Sequence, residues 1–138
     1  MTSDPACVFC QIVEGKIPCH KIYEDEKYLA FLDIHPSTPG HSLVIPKNHS
    51  PDLLHTPTND RQGLLEIVAK VTPAIIESVS ATAFNIGINT GADSGQVVFH
   101  THLHIVPRKK NDGINPWAAR NGTKDDLALL AQKIRQTM

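Results

Sequence analysis

Three alternate histidines, His100, His102 and His104, stand within five residues, among apolar and β-branched neighbours. A strand places alternate side chains on one face, so this pattern predicts a strand with three imidazoles in a row, neighbours about 7 Å apart. Each ring has two nitrogens that need partners, so such a row is a poor filling for an apolar face. The row therefore indicates metal ligation, nucleophilic or acid–base chemistry, or both together.

Two cysteines, Cys7 and Cys10, have the two-residue spacing of thiolates in small zinc sites. The same spacing serves redox pairs, which need a preceding strand and a helix N-terminus to lower the thiol pKa, and only six residues precede this pair. A chance spacing is the remaining alternative. A zinc site needs two further ligands, and the candidates are His49, at the end of a predicted strand, and His100.

A loop and a carboxylate provide weaker signals. Residues 91–96 form a Gly/Asp/Ser/Gln stretch leading into the histidine row, which is typical of hairpin loops but also of backbone cradles for anions. Asp33 closes an apolar stretch. It is either a surface carboxylate or turn cap, or an acceptor for two vicinal hydroxyls such as those of a ribose.

Composition predicts one ordinary domain, residues 1–138, because 41% hydrophobic and 20% charged residues are usual for a globular chain of this length. A net charge of −1 gives no electrostatic footprint for nucleic acid or an anionic membrane. No apolar run is long enough to span a bilayer, and the start lacks the basic and apolar regions of a signal peptide. With an odd number of cysteines, these features predict a cytoplasmic protein.

The elements that must position these residues follow from periodicity and turn signals. A helix capped by Asn59 or Asp60, with a kink or break near Val71-Thr72 before Pro73, is expected. Its apolar face would bury Leu64, Leu65, Ile67, Val68, Val71, Ile75, Ile76 and Val79. Residues 111–123 are expected to be irregular, anchored by Trp117. The other predicted elements are short helix 11–15, strands 21–24, 28–34, 42–46, 84–89 and the histidine strand from 97, and helix 124–136. Without βαβ alternation, this order predicts an α+β domain on an antiparallel sheet.

Taken together, these motifs resemble the histidine triad (HIT) family of nucleotide-binding proteins. The family signature, three histidines alternating with apolar residues and followed by two more, stands here as His100-Thr101-His102-Leu103-His104-Ile105-Val106. Further matches are Gly95-Gln96-x-Val98-Phe99, Phe31-Leu32-Asp33-Ile34-x-Pro36, Pro39-Gly40-His41, Leu43-Val44-Ile45-Pro46-Lys47-x-His49 and Asn89-x-Gly91. The resemblance covers a core of about residues 7–108 and leaves 109–138 as a C-terminal extension. It implies a five-stranded HIT-like meander with one long helix and a C-terminal helix.

The resemblance also implies a reaction. His102 would attack the α-phosphorus of a purine ribonucleotide and form a nucleotidyl-histidine that water cleaves, and His104 would bind an α-phosphate oxygen. Implied substrates are an adenosine phosphoramidate, an acyl-adenylate or a dinucleoside polyphosphate. Asp33 would bind the ribose, and Ile34, with Phe9 or Leu43, would flank the base. The remaining implied nucleotide contacts are Asn89, Gly95, Gln96 and Val98.

The Cys-x-x-Cys start resembles the zinc-bearing bacterial branch of the family, whose ligands correspond to Cys7, Cys10, His49 and His100. Zinc would then be structural and leave His102 free. The resemblance further implies a homodimer formed through the long helix and a sheet edge. Two alternatives stay open: a zinc hydrolase in which all three triad histidines hold a catalytic metal, and a non-catalytic nucleotide-binding module.

Several residues depart from the pattern or match nothing in it. Val97 stands where many members carry Ser or Thr near the leaving group, which leaves the leaving-group preference open. His41 follows the Pro-Gly turn and is a candidate to contact a triad histidine and support it without contacting the substrate. The residues expected to lie on the surface or without a role are His20, His35, His55 and the unpaired thiol of Cys19.

Overall fold

Five strands form one antiparallel sheet with three helices around it, which is the α+β class that the sequence predicts. The computed structural model describes residues 1–118 and 122–138. In chain order the elements are α1 (Val8–Val13), β1 (Lys21–Glu24), β2 (Tyr28–Leu32), β3 (Ser42–Pro46), α2 (Thr58–Val79), β4 (Ala83–Gly87), β5 (Leu103–Arg108) and α3 (Leu127–Thr137). Single 3₁₀ turns occur at Leu53–His55 and Ala92–Ser94.

The strands lie in the order β1-β2-β3-β5-β4, so the sheet is a meander through β3, and β5 then inserts between β3 and β4. The register pairs His104 with Leu43 on one side and with Gly87 on the other. The last triad histidine is therefore held on an inner strand, between two hydrogen-bonded neighbours. A side chain there has little freedom to move.

The two faces of the sheet carry separate cores. One face packs against α2 and α3, and its buried residues include Val44, Leu103, Ile105 and Ile134. The opposite face packs against α1 and buries Phe9, Phe31, Leu43 and Ile45 together with Cys7 and Cys10. Along β3, Leu43 and Ile45 face one core while Val44 faces the other, as the period of two requires. The small core on the α1 face is the one that reaches the chemistry-bearing residues.

The predicted histidine strand starts too early. Regular strand begins only at Leu103, and residues 97–102 are bends and irregular chain. β4 ends at Gly87 opposite His104, and β3 pairs with β5 only from Leu103 to Ile105, so the earlier residues have no partner strand. Thr101 instead donates its backbone N–H to the Ser50 carbonyl, 2.9 Å away. The three imidazoles therefore do not form one extended row.

Helix α2 runs without interruption from Thr58 to Val79, so the predicted break at Pro73 is absent. Pro73 itself is exposed, and the residues around it, Val71, Thr72, Ala74 and Ile75, are buried against the sheet. Burial of this face offsets the roughly 3 kcal/mol that a proline costs inside a helix. The helix also begins earlier than predicted, with Pro57 at its N-cap position rather than Asn59 or Asp60.

Other boundaries differ by a few residues. α1 lies at Val8–Val13 instead of 11–15, because the Sγ of Cys7 caps it by accepting the Cys10 N–H. β2 ends at Leu32 rather than 34, β4 covers Ala83–Gly87 rather than 84–89, and α3 starts at Leu127, where the side chain of Asp126 caps the Leu129 N–H. Leu65, predicted to be buried, is 59% exposed. The irregular stretch 111–123 falls partly on residues 119–121, which lie outside the described residues.

In the part of the chain that the structure describes, no helix combines the length and apolarity that crossing a bilayer demands.

Candidate active site

His102 and His104 line a cleft of about 610 Å³ on the α1 side of the sheet. Their ring centroids are 5.0 Å apart, closer than the 7 Å expected for neighbours on a fully extended strand. His100 is fully buried behind them and does not reach the cleft; it faces the two thiols near the start of the chain instead. The triad thus divides into two cleft residues and one residue of a separate cluster.

The tautomer of His102 follows from a single hydrogen bond. Its Nδ1 lies 2.7 Å from the backbone carbonyl of His100. A carbonyl can only accept, so Nδ1 carries the proton and donates it. Nε2 is then the ring nitrogen with the free lone pair. A neutral imidazole held in this way has a fixed nucleophilic atom.

His41 sets the tautomer of His104 by the same logic. The Ser37 N–H donates to His41 Nδ1 over 2.9 Å, so the proton of His41 is on Nε2. That Nε2 lies 3.0 Å from His104 Nδ1 and donates to it. His104 must then carry its own proton on Nε2. The carboxylate of Asp33, 3.6 Å from His41 Nε2, favours a proton at that atom.

Burial keeps these imidazoles neutral. It lowers the pKa of His41 and of His102 below the ordinary value of 6.5. It lowers the pKa of His104 to about 4, with smaller contributions from the neighbouring His102 and His41. At neutral pH His102 therefore presents a lone pair to the cleft, and His104 presents an N–H donor.

A second cluster joins the side chains of Cys7, Cys10, His49 and His100, whose potential ligand atoms all lie within 4.8 Å of one another. The Nδ1 of His100 is 3.5 Å from Cys7 Sγ and 3.6 Å from Cys10 Sγ, and the Nδ1 of His49 is 3.4 Å from Cys10 Sγ. In a tetrahedral zinc site with Zn–S about 2.3 Å and Zn–N about 2.05 Å, a sulfur–nitrogen edge is about 3.6 Å. The four ligands predicted from the sequence are thus brought together at the spacing that a tetrahedral ion requires.

The surroundings of the cluster fit a metal as well. His100 Nε2 lies 2.7 Å from the Pro46 carbonyl, to which it must donate, so His100 Nδ1 presents a lone pair to the thiols. Burial raises the pKa of the Cys7 thiol, and a cation bound at the cluster would favour its thiolate form. The start of the chain folds over the cluster, where the Asp4 N–H donates to Cys10 Sγ. The Thr2 N–H donates to the side-chain Oδ1 of Asn48, the Thr2 hydroxyl donates to the His49 carbonyl, and the His49 N–H donates to the Thr2 carbonyl.

The three triad histidines do not converge on one metal. Among the described residues, the ligand sets of three or more contain a single triad histidine each. The second set, Asp33, His41 and His104, is held by hydrogen bonds: the Nε2 of His41 carries a proton and has no lone pair to offer. The geometry therefore does not support the alternative in which the triad holds a catalytic zinc.

Comparison with known proteins agrees with this geometry. Residues 14–111, most of the chain, match the HIT domain family. The chain belongs to the HIT domain family. Adenylylsulfatase HINT3 of Arabidopsis thaliana is 43% identical over 123 residues, which are 89% of this chain and 61% of that protein. An uncharacterized HIT-like protein of Borreliella burgdorferi is 47% identical over 123 residues, 88% of this chain and 86% of its own length.

Solved HIT structures have the same fold. A zinc-bound histidine triad family protein from Mycobacterium smegmatis superposes with a TM-score of 0.86 at 41% identity, covering 96% of this chain and 92% of that one. A HIT-like protein from Bartonella henselae also has a TM-score of 0.86, at 31% identity, covering 99% and 100% of the two chains. The five-stranded antiparallel sheet and its helices are therefore the HIT fold.

Most of the nucleotide-contact residues predicted for this HIT domain lie along the cleft. These are Asp33, Ile34, Asn89, Gly95, Val98, His102 and His104. Gln96 is different, because its side chain is buried and turned inward. Its Nε2 donates to the carbonyls of Pro51 and Val98, and its Oε1 accepts the Gly91 N–H. In this structure Gln96 fixes the loop 91–96 and has no side-chain donor left for a phosphate.

Sequence reasoning missed several residues that line the cleft of this HIT domain. Trp117 packs edge-on against His104, with ring centroids 6.4 Å apart, and covers Gly87 so closely that a Cβ there would lie 2.6 Å from its ring. The available sequence signal for Trp117 was its expected role as the anchor of the irregular stretch 111–123. Cys19 and His35 also line the cleft, although neither was expected to have a role. His35 directly follows Asp33 and Ile34 in the sequence, and this adjacency could have predicted that it lines the cleft.

Proposed function

We propose that this HIT domain cleaves a purine ribonucleotide at its α-phosphate through a nucleotidyl-histidine intermediate. The observation that carries the proposal is the 2.7 Å hydrogen bond from His102 Nδ1 to the His100 carbonyl, which leaves the lone pair of Nε2 free in the cleft. Nε2 forms a bond to the α-phosphorus as the bond from phosphorus to the leaving group breaks, and the leaving group departs with the bonding electron pair; an amine leaving group also takes up a proton from solvent. Water then attacks the phosphorus and releases a proton to solvent, the P–N bond breaks, and Nε2 recovers its lone pair.

His104 and Asp33 complete the proposed chemistry. The N–H that the hydrogen-bond chain leaves on His104 Nε2 donates to an α-phosphate oxygen, where charge builds up as His102 attacks. Asp33, half-buried in the cleft wall, accepts from the ribose hydroxyls. Ile34 is exposed at the same wall and, with Phe9 and Leu43, gives the base an apolar site. Asn89, Gly95 and Val98, in or beside the loop 91–96, are assigned to the phosphate groups in this proposal, and Gln96 contributes by fixing the shape of that loop.

The charges of the cleft favour one class of substrate. Over residues 1–118 and 122–138, no Lys or Arg side chain lines it, and burial keeps its principal imidazoles uncharged. Among these described lining residues, the carboxylate of Asp33 is the formal charge. A dinucleoside polyphosphate would bring several negative charges without compensation, whereas an adenosine phosphoramidate or an acyl-adenylate brings about one. We therefore propose these monophosphate conjugates as the substrate class.

We further propose that the cluster of Cys7, Cys10, His49 and His100 binds one zinc ion with a structural role. The sulfur–nitrogen distances of 3.4 to 3.6 Å and the two thiols support this assignment. With four protein ligands, the zinc ion has no coordination position left for substrate. Its role would be to hold the start of the chain against the sheet. His102 is outside the ligand set.

We propose a homodimer that works in the cytoplasm on small molecules rather than on nucleic acid. β4 is an edge strand, and its Phe84 and Ile86 are 42% and 40% exposed, which is costly for a sheet edge left in water. On the long helix α2, Leu65 is 59% exposed and is a second apolar residue that a partner could cover. The near-neutral charge gives no support for nucleic-acid binding.

The test is a turnover assay with adenosine 5′-phosphoramidate and a diadenosine polyphosphate side by side, on the wild type and on His102→Ala. We expect turnover of the phosphoramidate by the wild type, at least tenfold slower turnover of the polyphosphate, and loss of both in the variant. Nucleotide binding without turnover, unchanged in His102→Ala, would instead establish a non-catalytic binding module.

A further inference from the structure

Phe9 lies between Cys7 and Cys10 in the sequence, and its ring contacts His102, the proposed nucleophile. Its ring meets the ring of His102 edge-on, with centroids 5.2 Å apart and planes at 90°. The same ring packs against Phe31 at 5.5 Å and against His100 at 5.9 Å. One buried aromatic side chain therefore touches a residue from each of the two sites. Such edge-to-face contacts have a defined geometry and are sensitive to small displacements of either ring.

Helix α1 is shared by the metal cluster and the cleft. It begins directly after Cys7 and contains Cys10, so both thiols belong to its first turn. Its other residues Val8, Phe9 and Ile12 line the cleft. Helix α1 therefore contributes the two thiols to the metal cluster and apolar side chains to the surface of the cleft.

A helix of six residues is too short to be stable by itself, and tertiary contacts must hold it. The contacts of α1 are those of a small core in which Cys7 and Cys10 lie beside Phe9 and Phe31. If no cation holds the thiols, only weak thiol–imidazole hydrogen bonds tie α1 to His49 and His100. A displacement of α1 would then move Phe9 away from His102 and open the apolar end of the cleft.

From this arrangement we infer that Phe9 is a positioning residue that couples metal binding to nucleotide binding. The inference rests on the proposed zinc and nucleotide sites. Because coupling between two binding sites is reciprocal, a metal that raises nucleotide affinity through Phe9 must itself be bound more tightly when nucleotide is present, by the same factor. Coupling of this kind is typically about fivefold or more.

The first experiment measures adenosine 5′-monophosphate (AMP) affinity and zinc content in Phe9→Ala and Phe9→Leu. The matched control is Phe84→Ala, which removes an aromatic ring from the exposed edge strand. We expect one zinc per chain in every protein, because all four ligands remain. The dissociation constant for AMP should rise about tenfold in Phe9→Ala and less in Phe9→Leu, which keeps most of the volume. An AMP affinity in Phe9→Ala equal to that of the control contradicts the inference.

The second experiment measures zinc affinity by competition with a chromogenic chelator, with and without saturating AMP. In the wild type AMP should tighten zinc binding about fivefold or more; in Phe9→Ala the change should be under about twofold. If metal removal simply unfolds the chain, AMP tightens zinc binding equally in both proteins, and that result overturns the role of Phe9. A wild type that binds zinc and AMP without any coupling overturns the inference but leaves the proposed function intact. A wild type that binds no AMP, or no zinc, removes the proposed sites themselves.

Discussion

The Nε2 of His41 lies 3.0 Å from the Nδ1 of His104, and His41 in turn accepts the backbone N–H of Ser37. This chain of two hydrogen bonds fixes the proton positions on both imidazoles, and the Asp33 carboxylate, 3.6 Å from His41 Nε2, favours the same arrangement. It makes His104 a donor into the cleft at neutral pH, the form needed to stabilise charge on a phosphate oxygen.

Removing His41 should therefore slow the reaction without removing the substrate site. We expect His41→Ala to lower kcat about 10- to 100-fold, with KM changed less than threefold, because His104 remains but its tautomer is no longer set. His41→Gln can still donate an amide N–H to His104 and should keep most of the activity. His20→Ala is the control, and steady-state kinetics is the measurement. Equal losses in the Ala and Gln variants would argue against a role in fixing the tautomer.

Acid should destabilise the fold through His104. Its folded-state pKa is about 4 against an ordinary value of 6.5, so on acidification the unfolded chain takes up the proton first. The contribution to stability is full above about pH 6.5 and is lost as the pH falls towards 4, up to about 3 kcal/mol at 1.36 kcal/mol per pKa unit. Urea titrations between pH 4 and 7 should show a shallower pH slope for His104→Gln than for wild type or His20→Gln. Identical slopes in all three would refute this assignment.

Asp33 should distinguish ribose from its deoxy analogues. Asp33→Ala is expected to weaken AMP binding by about 1.5–3 kcal/mol, the range of a charge-assisted hydrogen bond, while binding of 2′,3′-dideoxy AMP hardly changes. Asp33→Asn is the matched variant, because its amide oxygen can still accept the His35 N–H that Asp33 Oδ1 accepts. Calorimetry with both nucleotides is the measurement. Equal losses for the two ligands would exclude contact with the hydroxyls.

His49 should be required for metal retention. His49→Ala removes one of four ligands, so the chain should lose zinc and its Tm should fall, because binding of a structural metal contributes to folding. His55→Ala, an exposed histidine outside the cluster, should keep both. Metal analysis and thermal unfolding are the measurements. Less than about a tenth of an equivalent of zinc in the purified wild type would contradict the metal assignment.

Sequence reasoning located the reactive groups because their types are chemically restricted. Two thiols separated by two residues and three alternate histidines have few uses, and the four predicted ligands do meet in space. The α+β class was also predictable, since strands and helices carry different periodicities. Asp33 and Ile34 were placed in the cleft by motif alone.

The remaining features depend on tertiary context. The histidine row was predicted as a strand because its neighbours favour strands, but residues 97–102 lack a pairing partner that only the sheet order reveals. The continuity of α2 through Pro73 depends on burial of the flanking residues. The hydrogen bond from Gln96 Nε2 to the Pro51 carbonyl and the edge-on contact of Phe9 with His102 join residues far apart in sequence, and no local pattern encodes them.

The central claim is tested most directly by trapping a nucleotide on His102. The enzyme is mixed with adenosine 5′-phosphoramidate, denatured without acid because a P–N bond is acid-labile, digested, and analysed by mass spectrometry. We predict an adenylyl group on the peptide containing His102, localised to that ring, and none in His102→Ala. Turnover with no adduct on His102, or with the adduct on another residue, would contradict the account.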